Sequence, residues 1–517
     1  MSKIKLVTAS QMRQIETLSS ENGVDSHTLM DNAGYELAKA AISSVGVVTG
    51  LKCLALIGPG NNGSDGLVAA GHLVKAGAKV YAAILGSRPV PDTRLFNALN
   101  AGVIVVKVET SSDLLEVVQN THLIIDAILG TGANRRIEGS LAKYLQLVTD
   151  FASPERKIIA ADVPSGVDAD SGQVDPLTLF ADRTVAFGYP KIGNIHYPGS
   201  VACGELTIAD IGIPAGQDCD IKTYLLDSDS VGSILPIRRM DSNKGTYGKV
   251  MIVGGSKNFV GAAALAASSS LKSGVGLATV AAPTDVTSAI ASIIPEATLL
   301  NLPMKKSGEI DGWRSAREIY QHFAGYSALL IGCGMGISNE ARLLFSNLLL
   351  SPIDISVPTV IDADGLNMLL THYRWWDRLP KNCVLTPHPG EMSRMTRISV
   401  KEIQNNRLEI AKEFSVKWDQ ILVLKGANTV VALPNGESWV SDIVTPSLSS
   451  AGTGDVLAGL ISGLIAQGLD TKDATISGVY IHGVVGEIMG KKIGDSGTLA
   501  SDLLSEIPLV MSEIRNS

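Results

Sequence analysis

KCLALIGPGNNGSDGLVAAGHLVKAG, residues 52 to 77, runs from an apolar strand-like segment into a glycine-rich turn, Gly58-Pro59-Gly60-Asn61-Asn62-Gly63-Ser64-Asp65-Gly66, that opens a helix. Outward from it the same rhythm continues. Apolar runs at KVYAAIL (79–85), LIIDAIL (123–129) and KIIAADV (157–163) alternate with helical stretches, the pattern of βαβ units on a parallel sheet. Upstream, Thr8 and Gln11 have capping-box spacing, which predicts a helix to about Glu21, with a second helix after Gly23 carrying LMDNAGYELAKAA.

Around residues 213 to 245 the sequence turns polar and turn-rich, and a second strand–helix series begins at GKVMIVGG (248–255). Its further strands are expected at SALLIG (327–332), TVIDA (359–363), NCVLTP (382–387) and ILVLKG (421–426). A chain of 517 residues suits two such domains. They are expected at 1–215 and 230–517, with a linker at 216–229. The composition, 45% hydrophobic and 18% charged with 52 glycines, fits compact α/β layers.

A formal charge of -8 and no dense basic run beyond Arg238-Arg239 argue against nucleic acid or a membrane surface as partner. Five scattered cysteines, never spaced Cys-x-x-Cys, indicate neither a disulfide framework nor a zinc site. With no signal-length apolar stretch at the N-terminus and no membrane-length run, a cytoplasmic location is expected. The sequence leaves a homo-oligomer open.

The strongest chemical signal is Ser450-Ala451-Gly452-Thr453-Gly454-Asp455, directly before the apolar VLAGLISGLIAQG. Consecutive N–H groups at a helix start can hold a phosphoryl group in flight while the Asp455 carboxylate takes a proton from a substrate hydroxyl. An aspartate there is often only a cap, and the two roles are compatible. Lys425-Gly426-Ala427-Asn428-Thr429 follows a strand and offers a cation, amides and a hydroxyl to a nucleotide phosphate. His388 stands between two prolines in a stiff turn. Asp362 and Asp364, two apart, would share a side if the strand persists, to bind magnesium or cap a helix. Gly332, Gly334 and Gly336 form a further loop. In the N-terminal half, the Gly58–Gly66 turn is a phosphate-site candidate. Asp126, Gly130-Thr131-Gly132-Ala133 and Asp162-Val163-Pro164-Ser165-Gly166 finish other strands. Asn62, Asp126 and Ser165 could supply oxygen to a hard cation, and with one carboxylate among them a monovalent ion fits better than a divalent one.

LMDNAG, GPGNNGSDG, DAILGTG and DVPSGVDADSG resemble the NAD(P)H-hydrate epimerase domain over roughly residues 1 to 215. The resemblance implies a Rossmann-like three-layer domain, with Asn62, Asp126 and Ser165 holding K⁺. It places the hydrated nucleotide against Asn61, Asn62, Gly63, Ser64, Asp65, Gly130, Thr131, Gly132, Ala133, Asn134, Arg135, Arg136 and Asp162, and makes Asp162 the proton-handling group. Ser64 stands where the family usually has Gly; its hydroxyl would either add a contact or crowd the ligand. NKGTYGKVMIVGGS, IGCGMG, DADGLNML, TPHPGEM, KGANTVV and GTGDVLAGL resemble the ribokinase-like fold and its ADP-dependent NAD(P)H-hydrate dehydratase branch, over roughly residues 230 to 510. That resemblance implies Ala263, Gly334, His388 and Asp455 at the hydrate, and Lys425, Gly426, Ala427, Asn428, Thr429 and Gly454 at the nucleotide. Asp455 would be the base, with Mg²⁺ and ADP as cofactors and NADHX or NADPHX as substrate. Asn243 and Cys333 depart from the family's usual His and Pro. Two other readings stay open: a vitamin-type small-molecule kinase of the same fold, and a nonenzymatic scaffold.

Overall fold

The computed structural model describes residues 3–108, 111–132, 136–151, 155–351, 355 and 357–516. The chain divides between Ile221 and Lys222, and Lys3 belongs with the second unit. The first unit carries β1 (Lys52–Ile57), β2 (Lys79–Ile84), β3 (Ile104–Val106), β4 (Leu123–Ala127), β5 (Lys157–Ala161), β6 (Arg183–Phe187) and β7 (Glu205–Ala209). These pair in the order β3-β2-β1-β4-β5-β6-β7, all parallel. Side chains of β1 alternate between two cores. Cys53, Ala55 and Ile57 face the helices Ala9–Glu21, Ser26–Val45 and Asn61–Lys75, and Leu54 and Leu56 face Ser111–Gln119 and Gly139–Asp150. The sheet is therefore covered on both faces, which is why its strands read as unbroken apolar runs. The first helix carries the expected capping box, Thr8 with Gln11.

The second unit carries β8 (Thr223–Leu226), β9 (Lys249–Val253), β10 (Leu277–Ala282), β11 (Thr298–Asn301), β12 (Ala328–Ile331), β13 (Thr359–Ile361), β14 (Cys383–Leu385), β15 (Ile421–Leu424), β16 (Val430–Ala432) and β17 (Ser438–Ser441). Their order is β11-β10-β9-β12-β13-β14-β15-β16-β17-β8. Pairing is parallel as far as β15, antiparallel through β16 and β17, and parallel again onto β8. The expected linker 216–229 thus contains a strand. Its partner lies 215 residues away, so no local pattern could have announced the pairing.

In each sheet the strand order reverses once beside the first strand of the βα series, between β1 and β4 and between β9 and β12. Such reversals open a crevice beyond the strand ends, where ligands bind. Both crevices are narrow at the backbone. A Cβ on Gly58 would stand 1.8 Å from the Ile128 carbonyl oxygen, and one on Gly254 2.5 Å from that of Cys333. Over the second sheet, helix Thr453–Ala466 lies tightly on helix Val260–Ser273. A Cβ at Gly459 would meet the Ala266 carbonyl oxygen at 2.2 Å, and the Ser269 and Ser270 hydroxyls donate to the carbonyls of Val456 (2.6 Å) and Gly459 (2.8 Å). Among the described residues no helix is long and apolar enough to cross a membrane.

Candidate functional site

At the first crevice lies a cavity of about 420 Å³. Its floor is the strand-end set Asn61, Asn62, Asp65, Leu129 to Gly132, Asp162, Phe187 and Lys191; helices Ala9–Glu21 and Ser26–Val45 add Met12, Arg13, Glu16, Leu29 and Met30, among others. Asp162 sits just beyond β5 with φ of +63°, a left-handed conformation that aspartate tolerates better than bulkier residues. Its Oδ1 accepts from the Phe187 N–H (3.0 Å) and from the Lys191 ammonium. None of the hydrogen bonds among the described residues reaches Oδ2. Lys191 is fully buried, and its ammonium also donates to the Phe187 carbonyl at 3.1 Å. Asn194 braces both partners, bonding the Asp162 carbonyl (3.1 Å) and the Lys191 N–H (2.7 Å). A buried charge held this way is worth keeping only as a pair.

Beside this pair, Asn62, Asp126 and Ser165 converge on the Leu129 turn. The Ser165 hydroxyl donates to Asp126 Oδ1 (2.5 Å) and its N–H to Oδ2 (2.8 Å), while Asn62 Nδ2 donates to the Leu129 carbonyl (2.9 Å). Asp126 is fully buried, and among the described residues no cationic side chain is bonded to it; burial pushes its carboxyl above the usual range. One carboxylate among neutral oxygens, lacking a counter-charge, is a donor set suited to one monovalent cation.

Not every expected contact reaches the cavity. Gly63 and Ser64 are absent from its lining. The Ser64 hydroxyl accepts from Arg88 (2.9 Å), which also donates to the Gly58 carbonyl (2.6 Å), so it braces the turn outside the cavity lining. Arg136 is exposed and outside the lining. Ala133, Asn134 and Arg135 lie outside the described residues. Sequence reasoning missed Lys191, Glu16 and the wall from helix Ser26–Val45. The strand-end rule that found Asp126 and Asp162, applied to β6, would have found Lys191.

At the second crevice, Gly452 (φ +92°) precedes helix Thr453–Ala466 with no side-chain cap, so Asp455 is free of capping duty in the first turn. The Cys333 thiol and the carboxylates of Asp362 and Asp455 offer atoms all within 4.8 Å of one another. Lys425 Nζ donates to Asp362 Oδ1 at 2.7 Å, as does the Thr386 hydroxyl at 2.7 Å. A Cβ on Gly454 would lie 3.2 Å from Lys425 Nζ, which puts the ammonium beside the first turn's amides. Burial, then the Asp362 charge, raises the Asp455 carboxyl to about 6, while the Cys333 thiol and Lys425 pull it back. Burial pulls the Lys425 ammonium down, but Asp362 and Glu391 outweigh it and leave it raised.

Asp362 and Asp364 do not act as a facing pair. β13 ends at Ile361, Ala363 turns at φ +51° and Asp364 starts a helix, its carboxylate accepting the Gly336 N–H at 2.8 Å. Asp362 faces Lys425, Cys333 and Asp455, and Asp364 fixes the glycine loop. His388 caps helix Pro389–Thr396 by accepting the Gly390 N–H at Nδ1 (3.0 Å). In the neutral ring the proton then sits on Nε2, 3.6 Å from Glu391 Oε1, on a half-exposed side chain. Glu391, buried beneath it, accepts the His388 N–H (2.8 Å) and is raised by burial to about 7. In the 425–429 loop, Gly426 and Ala427 are exposed, Asn428 turns inward to the Ser441 carbonyl (3.0 Å), and Thr429 closes onto the Gly426 carbonyl (3.0 Å). Ala263 is fully buried against Gly255 and offers no exposed surface. Gly334, at φ +64°, lies against Phe259 and Ala262.

His482 went unnoticed in sequence because its helix, Thr471–Ile493, carries no motif. Its Nε2 faces the Thr453 carbonyl at 2.9 Å. A carbonyl only accepts, so Nε2 carries the proton, and burial lowers the imidazole to about 4.

The family model described as NAD(P)H-hydrate dehydratase matches residues 250–509, and that described as YjeF-related protein N-terminus matches 26–193. The bifunctional NAD(P)H-hydrate repair enzyme Nnr of Moorella thermoacetica is 36% identical, over 98% of this chain and 97% of its own. That of Thermofilum pendens is 33% identical, over 99% and 97%. Among solved structures, the ADP/ATP-dependent NAD(P)H-hydrate dehydratase of Bacillus subtilis, co-crystallised with ATP/Mg²⁺, is 32% identical with a TM-score of 0.49, over 56% of this chain and 98% of that one.

Proposed function

The chain belongs to the bifunctional NAD(P)H-hydrate repair enzymes, and from that footing we propose how its two crevices divide the work. The first interconverts the R and S hydrates. The second removes water from the S hydrate with a nucleotide as phosphoryl donor. The observation that carries the reading is the pairing, at each crevice, of a buried carboxylate with a lysine: Asp162 with the buried Lys191, and Asp362 with the part-buried Lys425 beside Asp455.

In the dehydratase site the obstacle is hydroxide, a poor leaving group. Asp455 takes the proton of the substrate hydroxyl as its oxygen bonds to the phosphorus of the nucleotide's terminal phosphoryl group, and the anhydride P–O bond breaks to release the shortened nucleotide. The amides of Thr453, Gly454 and Asp455 meet the charge that develops there, with Lys425 alongside. The C–O bond then breaks with loss of phosphate, and the neighbouring ring carbon gives up a proton, restoring the double bond. His388 and Gly334 stand at the hydrate, and the 425–429 loop and Gly454 at the nucleotide. With ADP as donor the products are AMP and phosphate. Mg²⁺, carried on the nucleotide phosphates, would lie against the Asp362 side of the cluster, where it would offset phosphate charge. Lys425 already matches Asp362, which suits an ion bound mainly by the phosphates. In the epimerase site, Asn62, Asp126 and Ser165 would hold K⁺, which would neutralise Asp126 and firm the Leu129–Gly132 turn.

The purified chain with S-hydrate and ADP should yield NADH or NADPH, AMP and free phosphate in equal amounts. A stable phosphorylated hydrate would replace this reading with that of a kinase. The pH dependence follows from Asp455. Its base form is the carboxylate, so kcat/KM for the S-hydrate should fall below pH about 6, approaching tenfold per unit, and level off above it. A profile flat down to pH 5 would remove Asp455 from the proton transfer.

A further inference from the structure

Two carboxyls besides Asp162 line the epimerase cavity, Glu16 and Asp65. Asp65, in the second turn of helix Asn61–Lys75, lines the cavity and is 8% exposed. Among the described residues no side-chain or backbone group donates to its carboxyl, in contrast to Asp162, whose Oδ1 takes two donors. The charged groups facing it are Asp162 beyond β5, Glu16 of helix Ala9–Glu21, Arg94 of helix Thr93–Asn100, and Lys191. Neither cation is free to pair with it: Arg94 is bonded to Asp31, and Lys191 to Asp162. A carboxyl that is buried, unbonded and near two other carboxylates, with both neighbouring cations already paired, is stable only with its proton on. Burial, then Asp162 and Glu16, accordingly raise it well above its ordinary range.

We propose that Asp65 is the general acid of the epimerase and shares a single proton with Asp162 across the substrate ring. The inference rests on the epimerase reading above. The hydroxylated ring carbon is bonded to the ring nitrogen, so inversion can proceed through the C–O bond. Asp65 gives its proton to the hydroxyl and the C–O bond breaks. Water leaves, and the nitrogen lone pair forms a C=N⁺ bond. A second water then attacks the opposite face, the C=N⁺ electrons return to nitrogen, and the extra proton passes to Asp162. The return direction runs the same steps with the two carboxyls exchanged. One proton enters and one is taken up, so no oxidant or further reagent is required. This use of two carboxyls with opposite protonation states follows the rule by which environments divide acid from base in a single site.

The experiment is single-turnover conversion of the R-hydrate by the full chain in ¹⁸O-water with no nucleotide present, after subtraction of the spontaneous reaction. The expected result is one solvent oxygen in the product per inversion. Asp65→Asn should lower the rate about a hundredfold to ten-thousandfold, and Asp65→Glu should restore part of it. The wild-type rate should fall at both pH extremes, where the shared proton becomes two or none, and whatever activity Asp65→Asn retains should lose the alkaline fall. Inversion that keeps the original oxygen would overturn the proposal in favour of ring opening at the C–N bond. Asp65→Asn at the wild-type rate, or an unchanged alkaline limb, would also overturn it. No inversion at all by the wild-type chain would instead overturn the epimerase reading on which it rests.

Discussion

Asp455→Asn should cost the dehydratase about a thousandfold in kcat, within the range seen for loss of a positioned base, or about 4 kcal/mol of transition-state stabilisation. The substitution is nearly isosteric. Asp455 does not cap its helix, because Gly452 precedes the first turn with no side-chain bond, so the fold of the site should survive. A carboxamide cannot accept the hydroxyl proton at neutral pH, whereas the anion hole of Thr453 and Gly454 and the lysine beside it remain. Nucleotide affinity should therefore change by less than tenfold while turnover collapses. Initial rates of NADPH appearance from S-hydrate, with nucleotide binding followed calorimetrically, separate the two. Turnover within tenfold of wild type would show that another group takes the proton.

Asp162→Asn should act twice. Epimerisation should fall about a hundredfold to ten-thousandfold, because the amide cannot hold the proton that inversion passes across the ring. The first unit should also lose about 3–5 kcal/mol, because Lys191, with 0% exposure, keeps a charge whose only carboxylate partner among the described residues is gone. Asparagine tolerates φ of +63° and can still accept the Phe187 N–H, so the loss is electrostatic and not conformational. Adding Lys191→Met removes the stranded charge. The double variant should regain most of the unfolding midpoint by denaturant titration and none of the R/S interconversion. A double variant as active as wild type would dismiss the pair from the chemistry.

Much of the site was legible because strand ends announce themselves. Asn62, Asp162 and Lys425 stand where an apolar strand gives way to glycine and polar residues, Asp126 is the one carboxylate in an apolar strand, and Asp455 stands where a glycine turn opens an apolar helix. What stayed hidden was set by packing across the chain. Ser64 reads as part of a phosphate turn, yet Arg88, 24 residues on, takes its hydroxyl away from the cavity. Asp362 and Asp364 read as neighbours on one face, until a positive φ at Ala363 separates them. Ala263 lies in a recognised motif, but its helix turns it into the core. His482 and Lys191 bond partners 29 residues away, so the sequence shows the strand end that precedes Lys191 but not the carboxylate it meets, and nothing local marks His482. Asp65 was visible as one letter of a glycine-rich turn. Its lack of donors appears only when the walls around it are in place.

The strand Thr223–Leu226 has a bearing on how this enzyme can be taken apart. It closes the β17 edge of the second sheet, with Ser438 to Ser441 paired residue for residue against it, and the Lys3 ammonium lies 5.0 Å from the Trp439 ring centre. A dehydratase excised from residue 230 onward would bare a row of unsatisfied main-chain groups on a largely apolar border, the form of surface that recruits other chains into aggregates. The seam at which the two catalysts can be separated therefore lies before Thr223, and any gene that carries the second catalyst alone must supply its own selvedge for that sheet.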